Sequence, residues 1–75
     1  MKLSQREYDV LLCIADGLVE KEIAKKLGIG QGTVHSYINS MKNKMHALTR
    51  AHAVAIYYRQ YPQWEREKTK RLRYK

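Results

Sequence analysis

Between Gln31 and Asn43 the chain reads QGTVHSYINSMKN, a segment dense in side chains that donate and accept hydrogen bonds yet low in charge. On a helix turning about 100° per residue, with Val34 at zero, Ile38 falls at about 40°, Met41 at about 340° and Met45 at about 20°. These four make one narrow apolar stripe. Opposite them stand Asn39 at about 140°, Gly32 at about 160°, Asn43 at about 180° and Ser36 at about 200°. A generic solvated face carries Glu and Lys. A small, uncharged face of this kind suits recognition of another molecule's donors and acceptors; an Asn amide, for example, pairs in bidentate fashion with an adenine edge.

Other chemistries fit less well. Gly28-Ile29-Gly30-Gln31-Gly32 has the glycines of a phosphate cradle, but no strand pattern precedes it and no Lys-Ser/Thr follows, so it reads as a turn and a helix start. Cys13 is the only cysteine, which excludes an intrachain disulfide. Its apolar surroundings make it a small core residue. His35, His46 and His52 lack a metal-site spacing with it. We expect no metal, no cofactor, no small-molecule ligand and, at this chain length, no enzymatic cleft. His35 is assigned to the recognition face, His46 to a surface turn and His52 to an exposed helix position. Neither a signal peptide nor a membrane-spanning apolar run is visible, so the expected location is cytoplasmic.

Four helices must position that face. Ser4-x-x-Glu7 is a capping box that opens the first, with Leu3 and Tyr8 at the staple positions. Val10, Leu11, Ile14 and Ala15 recur at helical spacing, and Gly17 ends the run. The second helix spans about Glu20 to Leu27, with Glu20 and Glu22 at its positive end and Lys25 and Lys26 at its negative end. Ile23, Ala24 and Leu27 form its inner side. Val19 offers no side-chain acceptor as a cap, while Gly28 suits a left-handed residue after the helix. The third helix follows Gly30 and reaches Met45. Thr49 caps the fourth, which stops before Pro62. Ala53, Val54 and Tyr57 cover one side of the fourth helix; Ala51, Ala55 and Tyr58 cover another that a monomer does not need, and it is expected to be a dimer seam. The fold class is therefore all-α.

Ala24-x3-Gly28-x5-Val34 joins helices two and three. A small residue permits close approach, a glycine makes a sharp turn, and an apolar residue locks the next helix at a steep angle. This is the logic of a helix-turn-helix, which sets its second helix proud of the surface for the major groove. The longer pattern is Leu3-Ser4-x-Arg6-Glu7, Ile14-Ala15-Asp16-Gly17-Leu18 and Lys21-Glu22-Ile23-Ala24-x-x-Leu27-x-Ile29. It continues with Thr33-Val34, Lys44-Met45 and Thr49-Arg50-Ala51-x-Ala53-Val54. It resembles the LuxR/GerE-type, or NarL-type, DNA-binding domain of bacterial transcription regulators over roughly residues 3–60.

The resemblance implies a third helix in the major groove and a fourth that dimerises. It places base reading on His35, Ser36 and Asn39 and backbone contact on Thr33, Tyr37 and Arg50. Gln31, Gly32 and Asn43 flank the recognition face. This chain departs from the family pattern where Val19 and Gly30 replace hydroxyl caps, Gly32 replaces Lys, His35 stands where Lys is frequent and Tyr37 where His is frequent.

The charge supports a polyanionic partner. Fifteen basic residues face seven acidic ones, for a net charge of +8. Residues 65–75 hold six basic and two acidic groups, so half of that excess sits in a short tail. The organisation read from the sequence is a DNA-binding domain over residues 1–62 and a basic C-terminal tail over 63–75. Trp64, between the two, is expected to pack over Tyr61 or helix four.

The reading is a stand-alone, sequence-specific DNA-binding transcription regulator. It is expected to be a homodimer on double-stranded DNA and to work with RNA polymerase. The start of the chain at Met1, directly before the first helix, leaves no room for a sensing domain in this reading. A protein-binding adaptor of the transcription machinery, or a phage-type architectural or recombination accessory factor, is the alternative.

Overall fold

The computed structural model describes residues 2–60 and arranges them as α1 (Gln5–Ala15), α2 (Glu20–Leu27), α3 (Gln31–Met45) and α4 (Arg50–Gln60). No strand occurs among the described residues. Trp64 and the basic tail lie outside them.

Each helix begins for a local reason. At α1 the Ser4 Oγ accepts from the Glu7 N–H at 3.2 Å, while Glu7 Oε1 accepts from the Ser4 N–H at 2.7 Å, completing the capping box. Val19 contributes no side-chain cap to α2, yet Glu22 Oε1 accepts from the Val19 N–H at 2.9 Å, so half of a box survives. Gly30 caps α3 with its backbone alone. At α4 the Thr49 Oγ1 accepts from the His52 N–H at 3.0 Å, and His52 Nδ1 in turn accepts from the Leu48 N–H at 3.1 Å. His52 is exposed as expected, and its ring also ties down the residue before the Thr49 cap.

α3 runs through the middle, packed against the other three helices. Its predicted stripe is its buried side: Val34 and Met41 are fully buried, and Ile38 and Met45 nearly so. Val10, Leu11 and Cys13 from α1, Ile23 and Ala24 from α2, and Ala53 and Tyr57 from α4 complete the core. Tyr8 and Tyr57 join α1 to α4, with ring centroids 5.6 Å apart at 50°. Within α1, Ile14 and Ala15 are only half-buried.

The turn between α2 and α3 follows the sequence logic. Gly28 adopts φ 68°, ψ 36°, and the Ile29 N–H reaches back to the Ala24 carbonyl at 3.0 Å. A Cβ at Gly28 would meet nothing within 4 Å, so the backbone conformation rather than space demands glycine there. After α3 the chain makes another left-handed turn, at His46 with φ 54°, closed by the Ala47 N–H on the Lys42 carbonyl at 2.9 Å.

Candidate nucleic-acid interface

The face of α3 opposite the core is open. Gln31, Gly32, Thr33, His35, Ser36, Asn39 and Asn43 are all exposed, along one side of a helix whose other side is locked into the domain. Tyr37 is half-buried, its ring packed against the core. Ser40 differs from Ser36: its hydroxyl turns inward and donates to Glu7 Oε2.

Glu7 is the buried charge that holds α3 in place. It is 3% exposed. Lys44 Nζ donates to its Oε1 at 2.7 Å, and Ser40 and the Ser4 backbone complete its shell. Burial pushes this carboxyl upward, but Lys44, Ser40 and the Ser4 groups together outweigh it and hold it at about 2, against an ordinary 4.5. Sequence reasoning saw only the capping role of Glu7. The residues that complete its shell are 33 and 37 positions away in the chain, which no local pattern records. Lys44 is thereby committed to the fold.

A second polar cluster gathers two of the predicted DNA contacts. Arg50, at the start of α4, places Nη1 3.6 Å from Glu20 Oε2, and His35 on α3 places Nδ1 3.4 Å from the same oxygen. The Arg50 and His35 side chains remain open to solvent, at 45% and 61% exposure, whereas Glu20 beneath them is 22% exposed. Arg50 therefore lies beside α3. Thr33 and Asn43 stand near the two ends of the same exposed side.

On α4 the division of faces holds in part: Val54 is only half-buried, and Tyr58 packs partly against the core. Ala53 and Tyr57 are buried, whereas Ala51 and Ala55 are exposed and Tyr58 is half-buried. Leu48, just before the helix, is 85% exposed and adds an apolar group the sequence reading did not single out. Among the described residues, no three His, Cys, Asp or Glu side chains gather into a metal-binding group. None of these residues forms a helix long and apolar enough to cross a membrane.

A family model described as bacterial regulatory proteins of the luxR family matches residues 1–57. The chain belongs to this family. Among curated relatives, the HTH-type transcriptional activator RamA of Corynebacterium glutamicum is 51% identical over 53 residues, covering 71% of this chain and 19% of RamA. The transcriptional regulatory protein DesR of Bacillus subtilis is 44% identical over 55 residues, covering 65% of this chain and 28% of DesR. The nitrate/nitrite response regulator protein NarP of Escherichia coli is 36% identical over 58 residues, covering 77% of this chain and 27% of NarP. The chain thus spans only 19% to 28% of the length of these relatives. This luxR-family domain is a four-helix DNA-binding unit of the kind found in transcription regulators. The α2–turn–α3 pair is its helix-turn-helix.

Proposed function

We propose that this chain binds double-stranded DNA sequence-specifically, with α3 in the major groove, and regulates transcription. The observation that carries the reading is the exposed, nearly uncharged hydrogen-bonding face of α3, backed by a fully apolar buried stripe. His35, Ser36 and Asn39 are the base readers. Thr33, Tyr37 and Arg50 meet the sugar-phosphate backbone, and Gln31, Gly32 and Asn43 border the reading face. Gly32 leaves room at the start of the helix: a Cβ there would meet nothing within 4 Å.

The domain acts in the cytoplasm as a homodimer, and the 75 residues suffice for binding without a further domain. Ala51 and Ala55 let two copies of α4 approach closely, Tyr58 supplies amphipathic area and Leu48 extends the seam. A two-fold axis brings the same patch against itself and sets two recognition helices on one side. RNA polymerase is the further partner. The test is selection of bound sequences from a random duplex pool with the purified chain. The expected product is a pair of related half-sites about one helical turn apart. A pool that does not enrich under low salt would favour the protein-binding adaptor instead.

A further inference from the structure

Glu20 sits at a place built for an anion. It is the first residue of α2, and the first residues of α3 and α4, Gln31 and Arg50, line the same open hollow. The first residues of three helices therefore meet there, each bringing the positive end of a helix dipole. Arg50 adds a full positive charge, and His35 approaches from α3. The hollow, about 480 Å³ and bounded also by Ile14 and Leu18, is open to solvent. An arrangement of N-termini and a guanidinium is the usual receptor for phosphate. In this chain a carboxylate of the protein itself takes the place.

We propose that Glu20 is an internal stand-in for a DNA phosphate: it holds Arg50 in the free protein and must yield it when the duplex arrives. The inference rests on the assignment of Arg50 to the DNA backbone. One carboxylate oxygen serves both His35 and Arg50, at 3.4 and 3.6 Å, so the hold is loose and both partners stay accessible. A phosphate brings more acceptor oxygens to Arg50 and pairs with it more strongly. Through Arg50 the carboxylate lowers affinity for every duplex, because that part of the exchange depends on no base. Glu20 is thus a positioning residue that sets how tightly the domain holds non-cognate DNA. Nothing in the spacing of Glu20, His35 and Arg50 along the chain reveals this; the three meet only through the packing of α2, α3 and α4.

The test is a double-mutant cycle on the full chain with Glu20→Gln, Arg50→Ala and both together, titrated onto the selected duplex and a shuffled one. Repeating the cycle with His35→Ala in every member removes the second partner of Glu20, so the cycle reports the guanidinium. Glu20→Gln is expected to tighten both duplexes by about 2- to 5-fold. It should also steepen the dependence of log K on log salt by up to about one unit. In the Arg50→Ala background the same change should gain nothing. Equal gains in both backgrounds would mean simple repulsion of phosphate by Glu20 and would overturn the hold on Arg50. No gain in the parent would overturn it as well. If the parent binds neither duplex, the DNA-binding reading fails rather than this one. Melting of each variant is followed alongside. Should Glu20→Gln be unfolded at the assay temperature, Glu20→Asp keeps the charge at the helix terminus but draws it back by one methylene, and the same gain is expected.

Discussion

A buried carboxylate in so small a core makes the domain's stability depend on pH in a definite direction. Glu7 is held at about 2 in the folded chain, against 4.5 ordinarily, so its contribution is fully present above pH 4.5 and is lost as pH falls through about 2. A shift of that size corresponds to about 3 kcal/mol, an upper figure because Lys44 remains partly in water. Glu7→Gln should therefore lower stability at neutral pH by up to about 3 kcal/mol and flatten the acid limb of the stability profile. Denaturant melts between pH 2 and pH 7 check this; an unchanged acid limb would assign the acid sensitivity to other groups. Two residues of the interface call for opposite behaviour. Asn39→Ala should cost about 1–3 kcal/mol on the selected duplex and little on a shuffled one. Arg50→Ala should weaken both duplexes alike and reduce the salt slope by about one unit. If each variant changed both duplexes equally, Asn39 would be a positioning residue and not a reader.

At the scale of elements, what the sequence made legible were features whose cause is local. The Ser4–Glu7 box, the left-handed Gly28, the Thr49 cap and the α3 stripe of Val34, Ile38, Met41 and Met45 each follow from neighbours one to four positions apart, or from one residue's backbone preference. The exposed face of α3 was readable for the same reason, since it is the complement of the stripe. Ser40, Lys44 and Glu20 were not, because their partners arrive from other helices. Gly28→Ala should destabilise the domain by about 1 kcal/mol, since a Cβ finds room but the positive φ remains costly. The spare face of α4 carries a sharper test. Ala55→Glu would set like charges across a two-fold seam, so the variant should fold with unchanged helicity yet sediment as a monomer where the parent sediments as a dimer. A parent that stays monomeric at high concentration and on DNA would remove the seam from the account.

For the whole molecule, the proposal divides charge and recognition between two regions. The α3 face proposed to read bases is almost free of charge, while residues 65–75 carry half of the net +8. On this division the tail supplies attraction common to all duplexes and α3 supplies discrimination. Removing residues 65–75 should weaken binding to every duplex and flatten the salt slope, with the preference between sequences retained. An unaltered slope would make the tail a solvated end. The central claim is that the outward side of α3 reads sequence. The most direct measurement is the ratio of the full chain's affinities for its selected duplex and for a shuffled duplex of the same length, taken across a salt series. The account predicts a selected-site advantage of about 10³-fold or more, with both affinities falling steeply with salt. Equal affinities at every salt concentration would contradict it and leave only a basic domain attracted to phosphate.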